Sequence, residues 1–267
     1  MTGRLRLAVV QCPSIGADVQ ANLARLVETV RTAAICGAEL VVFPEMYVTG
    51  YNIGERDVRS LAEPVDGPAI AFIRQVARDA SVHVCVGYPE LGDGGKIYNS
   101  AVICDPRGQA VLNYRKSHLF GAAEKKVFSP ADRQTPLVRV NGITVGVLIC
   151  YDVEFPENTR AAAQAGADIV VVPTANMEPF RSVSEIIVPA RSYENQMYVA
   201  YANYCGDQDG LAYCGRSTIA DPNGVRLASA GDGPDLLFAE IDREVIRASR
   251  SKHCFLDDCA ESTASAF

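Results

Sequence analysis

An eight-residue pattern that occurs twice constrains the fold of this chain more than any other feature. Gly37, Ala38, Glu39, Leu40, Val41, Val42, Phe43 and Pro44 are echoed by Gly166, Ala167, Asp168, Ile169, Val170, Val171, Val172 and Pro173. Both runs read as buried strands of one design, the first entered from a helix that Gly37 is placed to stop. A second echo follows each of them. Asp105, Pro106, Arg107, Gly108 and Asp221, Pro222, Asn223, Gly224 sit between β-rich runs, which is hairpin-turn chemistry. The chain therefore reads as two similar halves, each running strand, helix, strand, helix, strand, hairpin. Helices alternating with continuous apolar strands imply an α/β fold, with mixed sheets covered by helices and the halves packed sheet to sheet.

In the first half a strand is expected over Leu5 to Gln11. A helix follows from about Asp18, with Val19, Leu23, Leu26, Val27, Val30 and Ala34 at helical spacing. The strand Leu40 to Phe43, a helix near Pro68 to Ala80, the strand Val82 to Val86 and a hairpin from Ile97 to Tyr114 complete it, with Gly92 to Gly95 marking a loop before the hairpin. In the second half the strand Thr144 to Ile149 leads through Pro156 into a helix ending near Gly166. The strand Ile169 to Val172, a helix near Val183 to Gln196, the strand Tyr198 to Asn203 and a hairpin about Asp221 follow.

With 267 residues, 48% of them hydrophobic, the chain can bury a large core, and one domain over 1–267 is expected. A net charge of −7 with scattered Lys and Arg leaves no basic stripe for nucleic acid. Residues 1–6 run straight into the first strand and no stretch approaches 18 apolar residues, so a soluble, cytoplasmic protein with no membrane partner is expected. Nine cysteines without regular spacing point to reduced thiols rather than a disulfide framework.

Cys150 ends the apolar run Val145 to Ile149 and is followed by Tyr151, Asp152, Val153, Glu154, Phe155 and Pro156. A thiol where a buried strand breaks into a turn, with proline suited to open the next helix, sits in the setting that exposes nucleophiles. Such a thiol needs a base for its proton and a donor or cation for the charge that develops on the substrate. Glu45, after Phe43 and Pro44, and Lys116, leaving the first hairpin, are the candidates. Under the internal alignment Cys150 falls at the end of one half's first strand and Glu45 after the other half's second strand, where α/β sheets place their sites. Each alone has a structural reading: the thiol as a small hydrophobe, Glu45 as a capping or salt-bridged carboxylate, Lys116 as a solvated charge. His118 shares a strand face with Lys116, which leaves a Cys-His enzyme open against a structural histidine. His253, Cys254, Asp257 and Cys259 fit no standard zinc spacing, and no metal is expected.

Phe43, Pro44, Glu45; Tyr114, Arg115, Lys116; and Cys150, Tyr151, Asp152 with Phe155, Pro156, Glu157 resemble the three signature segments of the nitrilase or carbon-nitrogen hydrolase superfamily, across nearly the whole chain. The resemblance implies an αββα sandwich, a Glu-Lys-Cys triad without metal or organic cofactor, and hydrolysis of amides, carbamoyl groups or nitriles. Within that superfamily, the segments 51–54, 87–90, 97–100, 118–121, 174–177 and 201–206 are most similar to the branch that acts on linear ω-amino amides such as 5-aminopentanamide, as in lysine breakdown.

By the same resemblance Cys150 is acylated, Glu45 moves protons, and Lys116 with the Tyr151 N–H holds the oxyanion. Glu124, preceding Lys125, Lys126, Val127 and Phe128, is a second site carboxylate with a positioning role, against a solvated face beside those lysines. Tyr51, Tyr151, Glu154 and Asn176 are the substrate-binding candidates. An acidic Glu154 would favour a substrate ammonium, or else hold Lys116 or the turn. Arg191, Glu194 and Asn195 resemble a segment that supports the site. Ala131 stands where relatives have Gly, so a different loop backbone is expected. The partners implied are a small-molecule amide and further copies of the chain, as a homodimer or higher homo-oligomer. Another aliphatic or amino-acid amidase, an N-carbamoylamine amidohydrolase and a noncatalytic metabolite-binding member remain open.

Overall fold

The computed structural model of the protein describes residues 3–132 and 135–264. Along the first half run β1 (Arg4–Pro13), α1 (Val19–Ile35), β2 (Leu40–Val42), α2 (Gly54–Leu61), α3 (Pro68–Ala80), β3 (His83–Leu91), β4 (Ile97–Cys104), β5 (Ala110–Arg115) and α4 (Gly121–Val127). The second half comprises β6 (Leu137–Val140), β7 (Ile143–Val147), α5 (Pro156–Gln164), β8 (Ile169–Pro173), α6 (Val188–Asn195), β9 (Tyr198–Ala202), β10 (Tyr204–Gln208), β11 (Leu211–Cys214), β12 (Thr218–Ala220) and β13 (Arg226–Ser229). Then come β14 (Asp235–Asp242), α7 (Arg243–Lys252) and α8 (Phe255–Ala264).

The strands form two mixed sheets. One has the order β11-β10-β1-β2-β3-β4-β5 with β14 also on β1; the other runs β13-β12-β9-β8-β7-β6. In each, three parallel strands are followed by an antiparallel hairpin: β1, β2, β3 with β4 and β5, and β7, β8, β9 with β12 and β13. The duplication extends to single hydrogen bonds. Glu39 donates its N–H to Arg6 O at 2.8 Å and accepts Arg6 N–H on its carboxylate at 2.9 Å; Asp168 does the same with Thr144 at 2.8 and 2.8 Å. Both hairpin turns are built alike. The Asp105 carboxylate accepts the N–H groups of Arg107 and Gln109, Asp221 those of Asn223 and Val225, and Gly108 and Gly224 close the turns at φ +74° and +76°.

Strand residues alternate between the facing sheet and a helical layer. Leu5, Leu7, Val9, Leu40 and Val42 meet Val145, Val147, Val171 and Tyr198 of the other sheet. Ala8, Val10 and Val41 face Leu23, Leu26 and Val30 of α1 and Ile70, Ile73 and Ala77 of α3. Burial on both faces explains why these strands read as unbroken apolar runs, and the layers make an αββα sandwich. Local chemistry sets the helix starts: Asp18 accepts Ala21 N–H at 2.9 Å ahead of α1, and Pro68 and Pro156 occupy first-turn positions.

The structure differs from the sequence reading at several elements. The helix expected over 183–196 begins as a π turn, Val183–Ile187, before α6. β3 continues to Leu91, and α2, α4, β6 and the β10–β11 hairpin were not anticipated. That hairpin leaves the second half to pair parallel with β1 at Cys12 and Tyr204, while β14 returns antiparallel along Arg4 to Gln11. β1 is thus the seam between the halves. Cys12, Cys85, Cys104, Cys150, Cys205 and Cys214 are free thiols. Among the described residues no helix is long and apolar enough to cross a membrane.

Candidate active site

Glu45 arrives at the site because the chain crosses over β3 after leaving β2. Phe43 still donates its N–H to Cys85 O at 2.9 Å, and Val48 donates to Gly87 O at 3.1 Å. Between these two bonds the backbone lies against Gly87, where a Cβ would stand 2.4 Å from Met46 N and 2.8 Å from Glu45 Cα. The turn is completed by Met46 at φ +52°. Glu45 ends with no exposed surface, its N–H 3.3 Å from the O of Thr174, the matching residue after β8.

Lys116 follows β5 and is held by its backbone from two sides. Its N–H donates to Asn99 O at 2.8 Å and its C=O accepts Ala131 N–H at 3.2 Å. Ala131 is not among the positive-φ residues, so alanine there carries no left-handed strain. The buried ammonium lies 2.6 Å from Glu45 Oε1 and 2.8 Å from Glu124 Oε1. Glu124, on α4, also accepts Tyr51 O–H on Oε1 at 2.7 Å and Phe120 N–H on Oε2 at 2.8 Å. Asn99 donates its side-chain N–H to Glu45 Oε1 at 2.7 Å.

Cys150 follows β7 from the opposite sheet, at φ +46°, and opens the one-turn helix Cys150–Glu154. A left-handed non-glycine residue is costly and marks a place where the surroundings over-determine the backbone. The Tyr151 N–H lies in that first turn, whose leading donors have no partner within the turn. Burial, followed by the charge of Glu45, pushes the Cys150 thiol well above its ordinary pKa, while Lys116 and a hydrogen bond from the Ala175 backbone act in the other direction. Burial also raises Glu45 against the pull of Lys116. For Lys116 burial disfavours the ammonium, but Glu124 and Glu45 outweigh it and hold the cation charged. A dry carboxylate with raised proton affinity, a fixed cation and a thiol that keeps its proton at rest form a constellation suited to covalent acyl transfer.

The substrate-binding candidates divide. Tyr151 presents its ring edge-on to Phe120 and Phe155, with centroids 5.3 and 4.9 Å away. The Tyr51 hydroxyl is engaged by Glu124, and Asn176 donates its side-chain N–H to Phe180 O at 2.9 Å, shaping the loop after β8. Glu154 is half-buried, which raises its pKa, with Lys116 and Arg191 pulling the other way. Arg191 donates to Val153 O at 2.9 Å and Glu154 O at 2.7 Å and pairs with Glu194 at 3.1 Å, while Asn195 reaches Thr159. Arg191 thus braces the 150–154 turn, Glu194 steadies Arg191, and Asn195 reaches α5 rather than the turn. His118 stacks on Phe155 at 4.0 Å, with Nδ1 3.0 Å from Asp152 Oδ1. His253 stacks on Phe255 at 5.1 Å.

Sequence reasoning assigned no role to Asn99, Gly87, Ala175 or Asp152. The Asp152 carboxylate is fully buried and accepts from Tyr114 O–H at 2.9 Å, Ser117 O–H at 2.9 Å, His118 N–H at 2.9 Å and Ile149 N–H at 3.3 Å. It locks the segment carrying Lys116 to the turn carrying Cys150. Asn99, Gly87, Ala175 and Asp152 all lie in the motif segments, so their place was visible although their partners were not.

The profile of the carbon-nitrogen hydrolase family matches residues 6–251. A relative in Pseudomonas protegens, described as a hydrolase in the pqqF 5' region, is 45% identical over 95% of this chain and 88% of its own length. An (R)-stereoselective amidase of a Pseudomonas species is 37% identical over 95% and 91%. Among solved structures, a cysteine-to-alanine variant of the amidase from Nesterenkonia sp. AN1 in complex with butyramide superimposes with a TM-score of 0.81 at 31% identity, over 93% of this chain and 95% of that one. A glutamate-to-glutamine variant of the same amidase, showing Michael addition of acrylamide at the active-site cysteine, superimposes with a TM-score of 0.80 at 32% identity, over 93% and 97%.

Proposed function

Because this chain belongs to the carbon-nitrogen hydrolase family, the nitrilase superfamily, we propose that it is an amidase that cleaves the terminal amide of a small aliphatic ω-amino amide, converting 5-aminopentanamide to 5-aminopentanoate and ammonia. The observation that carries the reading is the buried Lys116 ammonium, bridged between Glu45 and Glu124 and close enough for all three charges to act on the Cys150 thiol. Sγ attacks the amide carbon as Glu45 takes its proton. The oxyanion rests on Lys116 and the Tyr151 N–H, preset donors of a kind whose individual loss costs about 3–4 kcal/mol. The C–N bond breaks as Glu45 returns the proton to departing ammonia, leaving a thioester. Glu45 then deprotonates a water that attacks the thioester, and the acid leaves as Sγ regains its proton.

Glu154 supports the amine part of the reading. It is a half-buried carboxylate four residues after the nucleophile, and an ammonium placed beside it would offset the burial that raises its pKa. Its position favours an ω-amino substrate over a carboxylate-bearing one. An ammonia-release screen over ω-amino amides, simple amides, carbamoyl amines and nitriles, with Cys150→Ala as blank, tests the activity. 5-Aminopentanamide is expected to outrun pentanamide in the native protein, and Glu154→Gln to reduce that preference about tenfold or more. An unchanged preference removes Glu154 from recognition; released carbon dioxide from carbamoyl amines would replace the amide reading.

A further inference from the structure

We propose that Asn99 is a positioning residue that makes the two oxygens of Glu45 chemically unequal, so that Oε2 carries the proton in every step. The inference rests on Glu45 acting as the base. Oε1 accepts from Asn99 Nδ2 at 2.7 Å and from Lys116 Nζ at 2.6 Å, whereas Oε2 is buried without a hydrogen-bond partner. Protonating Oε1 would disrupt charge-assisted bonds; protonating Oε2 breaks none. Without the amide, Lys116 alone would hold the carboxylate at one point, and Glu45 could turn about that contact.

Asn99 is suited to the task by its place on β4, opposite Pro89 of β3. Its backbone C=O accepts Lys116 N–H while its side chain holds Glu45, so one residue sets cation and base in register. The orientation of the amide follows from the chemistry: turned over, it would set Oδ1 against Glu45 Oε1, two acceptors in contact. Its own Oδ1 is buried and has no partner, in a residue 1% exposed. An amide kept with half its polar capacity unpaired costs stability, which points to a purpose other than folding. The other titratable groups facing Glu45 are Lys116 after β5, Glu124 on α4, Cys150 after β7, Tyr51 ahead of α2 and Tyr213 on β11. The Asn99 hydrogen bond lowers the proton affinity of Glu45, so its removal moves the protonation of the base to higher pH.

The test compares the native protein with Asn99→Leu and Asn99→Ala, reading pH profiles of kcat/KM for ammonia release and of Cys150 alkylation by acrylamide, with thermal melting beside them. The acid limb of both profiles is expected to rise by about one pH unit in both variants, the size set by a lost charge-assisted hydrogen bond. The leucine variant is expected to melt no lower than the native protein, since it also removes an unpaired acceptor. In Glu45→Gln, which should release no ammonia, the limb of the alkylation profile should vanish. A limb that persists in Glu45→Gln, or that stays in place in folded Asn99 variants while kcat falls, overturns the proposal. Alkylation needs no amide substrate, so a shifted alkylation limb supports the role of Asn99 even if no amide is turned over and the amidase reading fails.

Discussion

Gly87→Ala should disable the site through a residue that bears no functional group. The added Cβ would stand 2.4 Å from Met46 N, 2.8 Å from Glu45 Cα and 2.9 Å from Glu45 C, where ordinary contact begins at 3.4 Å. All three are backbone atoms and cannot rotate away. β3 cannot retreat either, because β2 and β4 flank it and its residues are buried over most of their length. The 44–48 segment must therefore move by about 1 Å, and Glu45 leaves its 2.6 Å contact with Lys116. A misplacement of that size costs about 10²-fold in rate, roughly 2.7 kcal/mol of barrier, and overpacking costs about 1–3 kcal/mol of stability. The assay is kcat/KM for ammonia release on the best amide of the screen, with thermal melting to establish folding. The expected result is a folded protein with kcat lowered about a hundredfold and Cys150 still open to alkylation. Near-native turnover in folded Gly87→Ala would refute the claim that this close approach sets the position of Glu45.

Two other substitutions probe the electrostatics. Burial raises Glu45 above its unfolded value, so its ionised form penalises the folded state at neutral pH, and the penalty fades as pH falls and the native carboxyl takes up its proton. Glu45→Gln should then melt higher than the native protein at neutral pH, with the difference closing in acid and ammonia release abolished; melting across pH checks the sign. Asp152→Asn confronts the donors of Tyr114, Ser117, His118 and Ile149 with an amide that must itself donate, and should cost about 3 kcal/mol in urea unfolding, with kcat falling more than KM rises.

How far the site was legible can be argued residue by residue. Glu45 and Cys150 stood out because each follows an apolar strand, whereas Lys116 leaves the mixed strand β5 and was joined to them by the resemblance of the three segments to the family. Asn99 and Asp152 stood in quoted segments without roles. Asn99 lies 54 positions from its partner Glu45 and Asp152 lies 38 from Tyr114, as Glu45 lies 71 from Lys116, and no local pattern records such pairings. Tyr51 and Asn176 show the same gap in another form. Read as pocket candidates, they place their polar groups on Glu124 and on the Phe180 carbonyl.

Sequence alone determined the duplication, the helix-covered mixed sheets and the two hairpin turns, since these rest on helices alternating with continuous apolar strands and on Asp and Gly at fixed offsets. Only the tertiary structure decided that β10 and β14 both join β1, stitching the halves together, and that Glu45 from one sheet and Cys150 from the other meet around one buried ammonium. Burial and charge pairing between distant segments depend on how two sheets stack, and that stacking is a property of surfaces in contact rather than of any stretch of chain.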